Sequence, residues 1–382
     1  MSLHPLRGLT LEQLQRRTSV KWRAYPPDVL PAFVAEMDAH PVPAVVEAVS
    51  RAMRDGDTGY PAGSSYAEQF GAFSEQRWGW RWDPARAVPI IDVVTGLSLA
   101  IEAVTDRGDT VVLSSPVYGP FFMVIQRTGR TLVDTPLTTD GRLDLAALEA
   151  AFAAGTRDGR RAAYLLCNPH NPTSVVHTAE ELAALADLAD RYGVRVVSDE
   201  IHAPLVAEGF TPYLDVLGTE QALTVTSASK AFNLAGLKAA LVVAGTHALP
   251  ALADISHMVG ALPSHLGVIA HTAALRDGGD WLDGVQEDLA ENRLLLRELL
   301  NRELPQVGWG GGVGTYLAWL DCRDLGLGDD PGEHFLTAGR VALARGPDFG
   351  PTGAGFARLN LATTPELLTE AVTRIRSCLD QR

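Results

Sequence analysis

Residues 178–202 read TAEELAALADLADRYGVRVVSDEIH, and this stretch sets the fold class. Thr178 and Glu181 stand at the spacing of a capping box, in which each side chain accepts the other residue's backbone N–H. Leu182, Leu185, Leu188 and Tyr192 recur at helical spacing and form one apolar face. Gly193 can take the left-handed conformation that ends a helix. A short β-branched run, VRVVS at 194–198, follows at once and leads into Asp199-Glu200-Ile201-His202. A capped helix feeding such a run is half of an α/β unit.

The same alternation extends in both directions. Runs rich in Val, Leu and Ile occur at 90–95 (IIDVVT), 110–114 (TVVLS), 163–167 (AYLLC), 222–226 (ALTVT) and 239–244 (AALVVA), most of them separated by helical patterns. Apolar strands joined by helices long enough to cross over predict a parallel sheet covered on both faces. Near residue 280 the texture changes. A long helical pattern, WLDGVQEDLAENRLLLRELLNREL, leads through a glycine-rich turn to a strand-like TYLAWLD and a last amphipathic helix at about 365–380, which predicts a second, smaller α+β domain. The first 45 residues are proline-rich and irregular; they are expected to pack with that unit or to reach a partner subunit.

Composition narrows the function. The chain has 382 residues with 32 basic and 46 acidic side chains, a net charge of −14, and the two signs are mixed throughout. Nucleic-acid binding needs clustered Lys and Arg, so that class is set aside. With 46% hydrophobic and 20% charged residues, a large core is expected rather than disorder. Three scattered cysteines fit neither a disulfide framework nor a zinc site, and the spacing of Cys167, His170 and His177 matches no compact metal pattern. No apolar run approaches the roughly 18 residues of a membrane span, and the N-terminus lacks a signal-peptide core, so a cytoplasmic protein is expected.

Sheets of this class bind ligands at the carboxyl ends of their strands. At those ends lie Gly96-Leu97-Ser98, Asn168-Pro169-His170-Asn171-Pro172-Thr173, Asp199-Glu200-Ile201-His202 and Ser227-Ala228-Ser229-Lys230. A glycine entering a helix N-terminus suits a phosphate, and an acid, an amide and a lysine share the rim. Together they suit pyridoxal phosphate, which uses a lysine for its imine and an acid beside its ring nitrogen.

The motifs NPHNPT, SDEIH and SASKAFN resemble those of fold-type I pyridoxal-phosphate enzymes of the class I/II aminotransferase family, and in detail its cystathionine β-lyase branch. Thr18–Trp22, Phe33–Asp38, Gly314–Asp321 and Phe356–Ala362 agree with that branch, so the resemblance runs from about residue 15 to the C-terminus. It implies a large domain with a mostly parallel seven-stranded sheet (48–285), a small C-terminal domain (286–382) and an N-terminal segment (1–47) that joins the latter.

By resemblance Lys230 is the Schiff-base lysine and general base, and Asp199 pairs with the ring nitrogen. Asn171 meets the cofactor's phenolic oxygen, and Tyr118 stacks on its ring. The backbone of Gly96, Leu97 and Ser98, with Ser227 and Lys238, is assigned to the phosphate; Tyr60 resembles a tyrosine that reaches the phosphate of a neighbouring subunit, which implies a homodimer with a shared site. Arg358 resembles the arginine that clamps the substrate α-carboxylate. His202 either tunes the cofactor oxygen or fills space. Ser174 stands where the family carries glycine, which puts the local turn in question, and Gly308, Gly310, Gly311, Gly312 and Gly314 predict a plastic loop nearby.

The leading expectation is a carbon–sulfur β-lyase that releases thiol, pyruvate and ammonia from an amino-acid thioether. The alternative is an aminotransferase, which shares the early chemistry. A non-catalytic cofactor-binding regulator is disfavoured because Lys230, Asp199 and Arg358 are all retained.

Overall fold

The structure is a computed structural model, and it describes residues 4–259 and 263–380. Its centre is a seven-stranded sheet of β1 (Ala87–Ile90), β2 (Thr110–Leu113), β3 (Thr131–Asp134), β4 (Ala162–Cys167), β5 (Arg195–Asp199), β6 (Leu223–Thr226) and β7 (Ala240–Ala244). Their spatial order is β1-β7-β6-β5-β4-β2-β3. The helix Ala179–Tyr192 begins with the expected capping box and ends at Gly193, φ 66°.

Alternate side chains along the strands supply two cores. One face carries Val111, Leu113, Leu165, Val197, Val225 and Val242 under the helices Val93–Val104 and Pro120–Arg127. The other carries Val112, Tyr164, Leu166 and Val196 under Leu145–Gly155 and Ala179–Tyr192. The strands are continuously apolar because both faces are covered.

One sequence expectation needs correction, and one strand is the exception in a mostly parallel sheet. The run 90–95 is not a strand: β1 stops at Ile90, Asp92 caps a helix, and Val93 and Val94 are its first turn. β-branched residues misled the reading because the packed face of this helix is itself rich in them. The run 239–244 is a strand, but β7 lies antiparallel to both β6 and β1. The connection 227–239 holds turns and no helix, so no crossover exists to make β7 parallel. This reversal carries the site: it returns Lys238 and Ala239 to the rim where the parallel strands end.

The C-terminal part has a four-stranded antiparallel sheet of β8 (Gly308–Trp309), β9 (Leu317–Asp321), β10 (Ala344–Arg345) and β11 (Phe356–Asn360). It packs against the helices Gly279–Glu303 and Pro365–Leu379, and the first of these runs unbroken across position 285. The N-terminal segment joins this unit. Leu30–Pro31 pairs in parallel with Val341–Ala342, and Asp38 N–H donates to Ala362 O at 2.8 Å.

That segment is locked by a buried ion pair. Lys21 and Asp38 are each 1% exposed, with Nζ to Oδ2 at 2.7 Å. Trp22 Nε1–H donates to Asp38 Oδ1 at 3.0 Å, and Lys21 Nζ also donates to Glu36 O at 3.1 Å. Removing one partner of such a pair leaves an uncompensated buried charge. Asp38→Ala is therefore expected to destabilise the protein by about 3–5 kcal/mol in chemical denaturation. A loss below about 1 kcal/mol would show that water reaches Lys21.

Candidate active site

A cavity of about 920 Å³, open mouth included, lies at the carboxyl ends of β4, β5 and β6 and the start of β7. It is lined by Tyr118, Asn171, Asp199, His202, Ser227, Lys230, Lys238 and Arg358, eight of the sequence-predicted residues.

Asp199 ends β5 at 4% exposure. Its Oδ1 accepts the Ile201 N–H at 3.0 Å, and among the described residues it forms no ion pair. Burial raises its carboxyl pKa to about 7, against the opposing pull of that N–H and of the Lys230 charge. A buried acid with nothing cationic bound to it is suited to a protonated ring nitrogen. Glu200 is not a competitor: Oε1 is taken by Ser198 Oγ–H at 3.0 Å and Tyr213 N–H at 2.9 Å.

Lys230 follows β6, and its Nζ donates to Ala35 O at 2.9 Å. Burial, then the Arg358 charge, pulls its pKa down to about 8, with Asp199 and Glu36 opposing. Arg358 projects from β11 into the same cavity, Nη1 to Asn171 Oδ1 at 2.8 Å and Nη2 to Phe33 O at 2.7 Å. Its guanidinium lies 4.8 Å over the Phe349 ring, and its Nε is buried without a partner among the described residues. This one arginine ties together the loop after β4, the small domain and the N-terminal segment. His202 is buried, its ring 5.9 Å from that of Tyr316 and its Nδ1 without a partner among the described residues; burial, then the Lys230 charge, drives its pKa well below 6.5 and keeps the ring neutral. Tyr118 borders the cavity, with its hydroxyl pKa raised by burial and then by Asp199.

Four predicted residues are not at this cavity in the single chain. Gly96, Leu97 and Ser98 lie a turn inside the helix: Gly96 N–H is bonded to Asp92 O at 2.9 Å, and Ser98 Oγ–H donates to Val94 O at 3.1 Å. Gly96 serves packing, since a Cβ there would sit 2.1 Å from Ile90 Cδ1 and 2.7 Å from Val225 Cγ1. The first-turn residues that line the cavity are Asp92, Val93 and Val94. Tyr60 is 85% exposed, between the helices Pro43–Asp55 and Ser65–Trp78. Sequence reasoning also missed Ala35, whose carbonyl receives Lys230 Nζ and the Tyr316 hydroxyl at 3.0 Å.

Ser174 takes the left-handed conformation, φ 60°, that its position demands. It is fully buried, donating from Oγ to Leu317 O at 2.6 Å and sharing a 2.5 Å bond with Thr315 Oγ1. Two of the glycines in the facing loop are held by close contact. A Cβ on Gly312 would sit 2.6 Å from Thr173 O, and Gly314 N–H bonds Ser174 O at 2.8 Å.

The sheet and its rim of lysine, acid, amide and arginine define a chain of the pyridoxal-phosphate-dependent transferase fold. Residues 34–375 match the model of the aminotransferase class I and II family, and the protein belongs to that family. It is 51% identical to a Mycobacterium tuberculosis protein named "Putative cystathionine beta-lyase", over 99% of each chain. It is 36% identical to the cystathionine beta-lyase of Corynebacterium glutamicum, over 97% of this chain and 99% of that one. A crystal structure from Corynebacterium diphtheriae, described as a "putative plp-dependent beta-cystathionase", superposes with a TM-score of 0.90 at 36% identity, covering 97% of this chain and 98% of that one.

The lowered pKa of Lys230 has a kinetic consequence. Its neutral, nucleophilic form dominates above pH 8 rather than above the ordinary lysine value of about 10.4. The rate at which the cofactor-free chain captures pyridoxal phosphate at Lys230 should rise with pH and level off just above 8. Stopped-flow absorbance checks this, and a rate still climbing at pH 10 would show that Lys230 is not desolvated.

Proposed function

We propose that this chain is a carbon–sulfur β-lyase that cleaves cystathionine or a related cysteine thioether to a thiol, pyruvate and ammonia. The observation that carries the reading is the convergence of Lys230, Asp199, Asn171 and Arg358 on one cavity, Asp199 having no ion-pair partner among the described residues. The names of the relatives that match nearly the whole chain support the choice of reaction.

Bound there, pyridoxal phosphate supplies an electron sink conjugated to the substrate Cα. Asp199 holds the ring nitrogen as a cation. Asn171 offers an amide to the phenolic oxygen, and Tyr118 a ring face to the pyridine. Lys238, Ser227 and the N–H groups of Val93 and Val94 hold the phosphate. Arg358 receives the substrate carboxylate, its charge held in place by Asn171 and Phe33 O. Lys230, whose Nζ lies in the same cavity, would take the Cα proton as general base. The Cβ–S bond would then break with its electron pair leaving on sulfur, the departing thiolate would take up the proton that Lys230 had removed and leave as the thiol, and water would complete release of pyruvate and ammonia. His202, neutral and beside Tyr316, adds no charge that would compete with Arg358 for the carboxylate.

The reading includes a cytoplasmic location, in keeping with the absence of a helix long and apolar enough to cross a membrane among the described residues. It keeps the three-part division at about 47 and 285, positions that fall within the helices Pro43–Asp55 and Gly279–Glu303, and the joining of the N-terminal segment to the C-terminal unit is supported by the pairing of Leu30–Pro31 with Val341–Ala342. It also includes a homodimer in which Tyr60, exposed in one chain, completes the phosphate site of the other.

Purified protein given cystathionine is expected to form pyruvate and free thiol with no keto acid added. Lys230→Ala should lower that rate by roughly 10²–10⁴-fold or more. Amino-group transfer without pyruvate would instead make the chain an aminotransferase. For the dimer, mixing inactive Lys230→Ala chains with impaired Tyr60→Ala chains should restore activity, because one site of the mixed dimer draws both residues from intact copies. A fully active monomer in sedimentation would overturn the shared site.

A further inference from the structure

The corner of the cavity assigned to the phosphate already contains a carboxylate. Asp92 lines the cavity, and its two oxygens are both engaged there. Oδ1 accepts the Thr95 N–H at 2.9 Å and caps the helix Val93–Val104; Oδ2 accepts from Lys238 Nζ at 3.0 Å. These bonds outweigh the effect of partial burial and keep the carboxyl below its usual pKa, so Asp92 is ionised at neutral pH.

The charges at this corner are simple to follow. Of the lysines and arginines lining the cavity, Lys230 is bonded to Ala35 O and Arg358 to Asn171 and Phe33 O, which leaves Lys238 for the phosphate. Asp92 neutralises that lysine and takes one of the helix N-terminal donors that would otherwise face an anion. A phosphate monoester carries nearly two negative charges at neutral pH. On entering, it must draw Lys238 away from Asp92 and then sit close to a carboxylate fixed by its own helix. The remaining attraction comes from the Ser227 hydroxyl, the N–H groups of Val93 and Val94 and the helix dipole, the last about half a unit charge.

We infer that Asp92 is a specificity-determining residue that occupies the phosphate corner in place of the cofactor's own anion, competes with it for Lys238, and so sets how readily the cofactor phosphate is released. This rests on the reading of the corner as a phosphate site. The effect is directed at the phosphate and not at the ring, because Asp92 reaches Lys238 and the helix start while Asp199 ends a different strand.

The test uses holoenzyme of the native chain and of Asp92→Asn, which keeps a good helix cap and removes the charge. Release of pyridoxal phosphate on dilution into a cofactor trap is followed by absorbance, and equilibrium binding is measured in parallel for pyridoxal, which lacks the phosphate. Asp92→Asn is expected to release pyridoxal phosphate about tenfold more slowly, a change of one unit charge near a doubly charged group, and to bind pyridoxal as the native chain does. Equal or faster release of pyridoxal phosphate from the variant overturns the inference, as does an equal change for pyridoxal. Failure of the phosphate reading itself looks different. In that case Lys238→Met would leave pyridoxal phosphate affinity unchanged, and the native chain would bind the two compounds alike.

Discussion

Desolvation of three ionisable groups around one cavity is the constraint on which the rest of the architecture depends. Asp199 and Arg358 are buried and Lys230 is partly buried at the cavity wall, and loss of solvent shifts each toward its neutral form, to about 7, 10 and 8 respectively. Enclosed charges are tolerated only when hydrogen bonds or opposite charges hold them. The chain supplies backbone for this purpose: Ile201 N–H for Asp199, Ala35 O for Lys230, Phe33 O for Arg358.

Two of those three backbone groups belong to residues 33–35, which explains why an irregular N-terminal segment is held so firmly. Lys21 and Asp38 bracket it through their buried pair, and Asn360 donates from Nδ2 to Val34 O at 2.8 Å and Glu36 O at 2.7 Å. The carbonyls of Phe33 and Ala35 are thereby set at the cavity edge. Arg358, reaching Asn171 across the domain boundary, joins the N-terminal segment, the small domain and the large sheet at one guanidinium.

Much of this was legible in the sequence. The helix at 179–192, five of the six strand-like runs and the cavity residues that follow β4, β5 and β6 were readable, because capping boxes, apolar runs and strand-end motifs are local patterns. The separation of Asp199 from Glu200 rested on family likeness, and the structure adds a physical reason: one carboxylate has Ser198 and Tyr213 as partners and the other faces the cavity. The run was read one helical turn too far along, and Gly96–Ser98 lie inside the helix rather than at the cavity, since β-branched Val93 and Val94 look like strand whether they extend a sheet or open a buried helix. Asp92 went unnoticed for the same reason.

What the sequence determined alone is the list of parts: an α/β sheet with a smaller domain, and a lysine, an acid, an amide and an arginine in order along it. What only the tertiary structure decided is direction and approach. A continuous apolar run does not encode whether a strand lies parallel or antiparallel, so the reversal of β7 that returns Lys238 to the rim could not be read from it. Nor does local sequence show that Ser174 takes φ 60° because Thr315 and Leu317 hold its hydroxyl, or that Gly312 and Gly314 exist for close contact rather than flexibility. Periodicity and capping are set by neighbours within a few positions, whereas the Ser174 contacts join residues more than a hundred apart and the β6–β7 pairing joins residues across a whole connection, so both arise only when the chain has folded.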